Sequence, residues 1–315
     1  MVAKLTINNY QLKIKKMQQE TVKSSSSFTI ASKVRDYMLL VKFSLSFMVV
    51  FSAVISYLLA PNVVAYDWTM IILFFTGGLL VTGSANAVNQ VVEKDTDALM
   101  KRTAKRPIAS GRMSVAEGWA FAIISLIAGL LILYYYFNGL SALIALFSWF
   151  MYAFMYTPLK KVSSISVLVG AVPGALPCLI GWAAGQDEIS AGGWVLFAIQ
   201  FFWQFPHFWA IAWIAHKDYT NAGFKLMPSV EGPTKYSAIQ SVIYSMLLIP
   251  VGFLPYFVGM SGIISVWIVF VANLFMVWQS VRLYREMEVK AARRVMFSSY
   301  IYLPVVLLAL LADKL

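Results

Sequence analysis

Three oxygen-bearing side chains, Asn89, Glu93 and Asp97, recur at four-residue intervals in the run Asn89-Gln-Val-Val-Glu-Lys-Asp-Thr-Asp97. On a helix they share one face, with a drift of about 40° per step. Lys101, Arg102, Lys105 and Arg106 follow at once. Magnesium prefers oxygen ligands and commonly takes one or two carboxylates, waters and substrate phosphate oxygens. Neighbouring cations suit the phosphates themselves. The two features together fit a magnesium-bound diphosphate ester, with Glu93 and Asp97 as direct or water-mediated metal ligands and Asn89 adding an amide oxygen. Asp95 points off this face, where it could hold a basic side chain. A solvated loop would also be basic, but it needs no oxygen stripe at membrane depth, where carboxylates are expensive and mark function.

A second polar group lies further along, in Trp203-Gln204-Phe-Pro206-His207-Phe-Trp209 followed by His216-Lys217-Asp218-Tyr219. Pro206 is expected to break a backbone ladder in mid-span, and freed carbonyls in a membrane must line a cavity or be capped. Gln204, His207 and Asp218 would then face that cavity. A lone histidine on an apolar helix is more often a satisfied core residue, but the crowding of Gln204, Pro206, Trp203 and Trp209 favours a site. His216 reads as an interfacial residue.

The elements that must position these groups are membrane helices. The chain of 315 residues is 60% hydrophobic and 12% charged, with mean hydropathy +0.73. Continuous apolar runs of about 20 residues recur throughout, which excludes a soluble domain and a strand-built barrel. Nine spans are expected, near 38–60, 67–92, 115–137, 139–158, 163–184, 191–215, 236–258, 261–284 and 292–312. Of the 25 Lys and Arg residues, 23 fall in segments 1–36, 93–114, 160–161, 216–235 and 282–294. Lys42, inside the first span, and Lys314, at the end, are the exceptions. This alternation puts the N-terminus and every basic loop on the inside. It also accounts for most of the net charge of +11, which is therefore no nucleic-acid signal. The single cysteine, Cys178, excludes an intramolecular disulfide and reads as a buried small side chain.

Residues 1–36 form a polar, Lys- and Ser-rich tail without the apolar core of a signal peptide, read as amphipathic or disordered and cytoplasmic. Only Arg35 supplies arginine there, which disfavours a mitochondrial presequence; a multi-pass protein of the bacterial inner membrane is expected, with residues 37–315 as one intramembrane domain. The two polar clusters each end a span running inward, four helices apart. That spacing suggests two four-helix halves with facing sites plus one extra helix, an all-α arrangement in which a site is commonly built at equivalent places. A transporter would share these traits, but its polar residues should be reachable from both faces rather than gathered toward one. A non-catalytic assembly factor would have no use for so costly a stripe.

The stripe resembles the Asn-x-x-x-Asp-x-x-x-Asp signature of the UbiA-type intramembrane prenyltransferases. The longer run from Asn89 to Pro107 is similar to the protoheme IX farnesyltransferase branch of that superfamily. So are Gly181-Trp-Ala-Ala184, Trp203 to Trp209, Asp218-Tyr-Thr-Asn-Ala-Gly223, Met227-Pro228 and Tyr156-Thr-Pro-Leu-Lys160. The matching text spans about 36–235. The Trp-Gln-x-Pro-His-Phe-Trp run favours the heme branch, because the quinone and chlorophyll branches resemble one another in carrying a second Asp-rich motif there. Glu93 departs from the usual Asp, and Lys42-Phe43 stands where relatives have Lys-Pro.

The resemblance implies a helical bundle around a lipid-accessible central cavity. It implies farnesyl transfer from farnesyl diphosphate to a vinyl group of heme b, with addition of water, giving heme O; heme is then substrate and Mg2+ the cofactor. Lys101, Arg102, Lys105, Arg106, Lys160 and Lys217 would bind the diphosphate. Trp203, Gln204, His207 and Trp209 would line the acceptor pocket, with His207 or Asp218 as base. A heme A synthase is a partner this reading admits, and an aromatic acid or a chlorin is the rival acceptor.

Overall fold

The apolar runs fold into long helices because a backbone in lipid must satisfy its own polar groups. A computed structural model describes residues 30–229 and 231–315. The expected polar tail lies outside the described residues as far as residue 29, and residues 30–36 open the first helix. The chain runs α1 (Ile30–Leu40), α2 (Phe43–Leu59), α3 (Trp68–Val92), α4 (Lys94–Leu99), α5 (Val115–Tyr136), α6 (Gly139–Leu159), α7 (Ser166–Gln186), α8 (Ala191–Ile214), α9 (His216–Asn221), α10 (Lys235–Phe257), α11 (Ile263–Glu286) and α12 (Val289–Ala312). Among the described residues it is all-helical, with one isolated bridge between Ser261 and Lys314. Eight of these helices are each long and apolar enough to cross a membrane, and the pair α1–α2, bent by 53°, makes up to nine. The protein is a multi-pass membrane protein.

Helix α7 packs on both α2 and α6. Helix α3 packs on α2 and α5, and α5 on α6; α8 packs on α7 and α10, and α10 on α11. The last helix, α12, meets α8, α11 and α2 and so closes the ring. Helix α5 is the most lipid-exposed and α7 the most enclosed. Close approach to α7 needs a missing side chain: a Cβ on Gly181 would sit 2.0 Å from the Ala53 carbonyl oxygen of α2. We expect Gly181→Ala to destabilise at the upper end of the ~1–3 kcal/mol typical of overpacking, because a backbone carbonyl yields less than a side chain. Thermal unfolding in detergent measures this; an unchanged melting point would contradict the contact.

Two prolines inside α7 leave carbonyls that its own ladder cannot serve. Pro177 has no N–H for Pro173 O, and the Ser148 hydroxyl of α6 donates to that oxygen at 3.2 Å. From α8, Gln204 donates to Ala171 O at 3.1 Å and Gln200 to Gly174 O at 2.7 Å. Helix α8 itself runs through Pro206 without interruption, so the break expected there does not occur. One lost backbone bond is tolerated where neighbouring helices pack tightly around it.

The last residues fasten the ring at the end opposite the basic loops. Lys314 Nζ donates to the carbonyls of Leu58, Ala60 and Val63 at 2.8, 2.8 and 2.7 Å. Leu58 O lies in the last turn of α2, and Ala60 O and Val63 O follow in the loop, where Ala60 O also accepts from Val63 N–H at 3.0 Å. Asp313 in turn accepts from Ser265 N at 2.7 Å, tying α12 to α11.

Candidate active site

The oxygen stripe begins inside α3 and crosses a break. Glu93 (φ −93°, ψ 10°) ends α3 and begins α4, so the stripe is not on one uniform helix. Its spacing survives because the i to i+4 bonds continue: Glu93 N–H bonds Asn89 O at 3.0 Å and Asp97 N–H bonds Glu93 O at 2.7 Å. All three side chains are buried. Asp95 turns outward and is exposed, as the helical phase requires.

Each oxygen of the stripe is met by a different cation. Lys42 Nζ donates to Asn89 Oδ1 at 2.9 Å, Lys160 forms an ion pair with Glu93, and Arg106 grips both oxygens of Asp97 at 2.8 and 2.7 Å. Burial raises the Asp97 carboxyl above its ordinary range, against the pull of Arg106. Burial likewise lowers the Lys160 ammonium, while Glu93 holds it up. Three cations thus face two carboxylates in a desolvated pocket, a surplus of positive charge suited to a polyanion.

Lys42 stands apart from the one-sided basic loops, inside the first expected span. It occupies the joint between α1 and α2 in the left-handed region, at φ 49°. The carbonyls that the joint frees are caught by α3. Gln90 donates to Leu39 O and Leu40 O, both at 2.9 Å, and Asn86 donates to Val41 O at 3.1 Å. The broken helix is therefore held by the same face of α3 that carries Asn89. A charge at membrane depth was the signal that could have found Lys42.

Lys160 arrives from the end of α6 through a wide turn. Met151–Tyr156 are π-helical, a distortion frequent at functional sites. Thr157 N–H bonds Tyr152 O five residues back, and Pro158 has no N–H to offer. The Thr157 hydroxyl accepts from Asn89 Nδ2 at 3.3 Å, which fixes the amide so that Oδ1 faces Lys42. Lys160 Nζ lies 4.8 Å from the centre of the Tyr156 ring and 5.3 Å from that of Phe224. Aromatic faces stabilise such an ammonium.

The two basic loops join above this pocket. Arg102 donates to Tyr219 OH at 3.0 Å, and Lys225 N–H bonds Lys160 O at 2.8 Å. Met100, Ala222 and Phe224 form a small apolar cluster between the loops. Asp218 lies half-buried on α9 beside Tyr219, while Lys101, Lys105 and Lys217 are exposed around the rim. Of the expected diphosphate cations, Arg106 and Lys160 touch the stripe, and Arg102 reaches Tyr219 of the other loop.

The second cluster divides over three directions. Gln204 is stitched to α7, where Gly174 leaves room for it. Trp209 packs with Phe205 and Tyr244 in the seam between α8 and α10. Trp203 and His207 turn together toward α12, stacked at 4.9 Å and 15°. His207 Nδ1 lies 2.7 Å from Ser299 Oγ. Gln204 thus faces α7, Trp209 faces α10, and Trp203 and His207 face α12.

The stripe supplies hard oxygen donors, buried and convergent, which fits a magnesium ion completed by phosphate oxygens and water. Among the described residues no group of three His, Cys, Asp or Glu side chains forms a self-sufficient metal cage. A two-carboxylate site with adjacent cations suits a metal that arrives with its phosphates.

A membrane bundle with a paired oxygen stripe at one end matches a known family. Residues 49–302 match the UbiA prenyltransferase family, and the chain belongs to it. Among relatives, it is 44% identical over 286 residues to the protoheme IX farnesyltransferase of Cytophaga hutchinsonii, covering 91% of this chain and 100% of that one. It is 40% identical to the protein of the same name from Flavobacterium johnsoniae, covering 92% and 98%. Solved structures agree in fold. A digeranylgeranylglyceryl phosphate synthase superposes with TM-score 0.73 at 20% identity, covering 90% of this chain and 98% of that one. A UbiA homologue from Archaeoglobus fulgidus bound to GPP and Mg2+ gives 0.63 at 16% identity, covering 87% and 99%.

Proposed function

We propose that this protein transfers a farnesyl group from farnesyl diphosphate to a vinyl group of heme b, with addition of water, releasing diphosphate and forming heme O. The observation that carries the reading is the set of three buried cation–oxygen pairs at the end of α3, in a chain that aligns along its length with relatives bearing that activity in their names. The asymmetry of Lys and Arg supports a cytoplasmic position for the site, in a bacterial inner membrane.

Binding exchanges partners. The oxygens of Asn89, Glu93 and Asp97 would hold Mg2+, which supplies charge neutralisation on the diphosphate. Lys42, Lys160 and Arg106, released from those oxygens, turn to the phosphate oxygens, and Arg102 closes over them from the loop. Cations placed where negative charge develops lower the barrier to departure of the diphosphate. The allylic cation left behind needs a dry surround, which Tyr152, Tyr156, Tyr219 and Phe224 provide beside Lys160. The electron-rich vinyl attacks that cation, and water captures the new positive centre. In this reading His207 accepts the proton lost from that water or contacts the macrocycle, and Asp218 is the second acceptor.

Membranes containing the protein, incubated with heme b, labelled farnesyl diphosphate and magnesium, should yield a farnesylated heme by mass spectrometry. Product with hydroxybenzoate and none with heme would overturn the reading. His207→Ala should impair use of heme more than binding of farnesyl diphosphate; equal loss of both would reduce His207 to a support of the helix.

A further inference from the structure

We infer that Ser299 of α12 is a positioning residue that holds His207 in a single tautomer, with the proton on Nδ1 and the lone pair on Nε2. The inference rests on the proposed function for its purpose and on hydrogen-bond geometry for its content. A serine hydroxyl has one proton to give. Ser299 Oγ lies 2.6 Å from Met296 O, a carbonyl that can only accept, so the proton is spent there. At the 2.7 Å contact with His207 Nδ1 the serine oxygen must therefore accept, and Nδ1 carries the hydrogen. Among the described residues Nε2 has no hydrogen-bond partner, so its lone pair remains for a proton or a metal-bearing ligand.

Ser299 acts on the neighbouring ring too. Its backbone carbonyl accepts from Trp203 Nε1 at 2.9 Å. Trp203 and His207 are four residues apart on α8 and lie on one face. One residue of α12 thus anchors the indole through its main chain and the imidazole through its side chain. The two functions separate cleanly, because truncating the hydroxyl leaves the carbonyl and the Trp203 anchor in place. A histidine whose second nitrogen is fixed in this way is the arrangement used to present a defined basic atom to a ligand. The group that meets the acceptor is then the unpartnered Nε2 atom rather than the ring in general.

The chain has two histidines, so their ring nitrogens can be resolved in the intact protein. The test is nitrogen NMR of full-length protein labelled at imidazole nitrogen in lipid nanodiscs, with His216→Gln to assign the signals. A protonated Nδ1 and an unprotonated Nε2 are expected for His207, a mixture of tautomers in Ser299→Ala, and the original signals again in Ser299→Thr. Titration of the same samples with heme b alone should show a Soret shift weakened roughly 10-fold or more in Ser299→Ala and restored in Ser299→Thr. A wild-type ring protonated on Nε2, or one that Ser299→Ala leaves unchanged, overturns the inference whatever the substrate. A wild-type protein with the expected tautomer that yields no farnesylated heme overturns the functional reading instead.

Discussion

Asp97→Asn is expected to lower farnesyl transfer by about 10²–10³-fold while leaving the bundle folded. The substitution keeps size and one acceptor oxygen for Arg106, so the loop between α4 and α5 stays attached. It removes the negative charge at the fully buried end of the stripe, the charge proposed above to hold the metal. The residual damage to stability is moderate, because Arg106 is partly solvated and can recruit water where a deeply buried partner could not. Single-turnover transfer with labelled farnesyl diphosphate, read beside thermal unfolding, separates the two effects. Transfer near the wild-type rate would remove Asp97 from the site.

Lys42 is expected to show the second largest effect, and a pair of variants isolates its ammonium. The left-handed backbone at this position costs a non-glycine residue about 1–2 kcal/mol. Lys42→Gly relieves that strain, so the joint between α1 and α2 should form at least as readily, while Asn89 loses its cation. Lys42→Met retains the strain and the stem and loses the same charge. Both should reduce transfer by about 10²-fold and raise the concentration of farnesyl diphosphate required, with Lys42→Gly the more stable of the two. If Lys42→Gly transferred farnesyl normally, the lysine would serve only the shape of the joint.

The difference between these two residues shows what was legible beforehand. The span pattern, the one-sided basic loops and the Asn89–Asp97 stripe follow from hydropathy, charge and a four-residue period, all local properties of the chain. Lys42 carries no such period. It reaches Asn89 across 47 positions, through a helix break that is visible only once α3 captures the freed carbonyls. Glu93 hides its break for a related reason, since the i to i+4 bonds continue through it. The second cluster is spread by the same helical geometry. Gln204 and Trp209 sit beside His207 in sequence, yet a helix sends consecutive side chains to different neighbours. Gln204 reaches α7, which carries Pro173 and Pro177, and Trp209 reaches α10. Ser299, the partner His207 has, lies 92 residues away in an apolar run with nothing local to single it out.

Lys314 gives the bundle an order in time. Three carbonyls at the far end of α2 wait for an ammonium made 251 to 256 residues later. During synthesis the first spans must lodge in the bilayer before their last partner exists. The seam between α2 and α12 is therefore tied by a residue that cannot act until residue 314 has been made, which joins an early span to a late one.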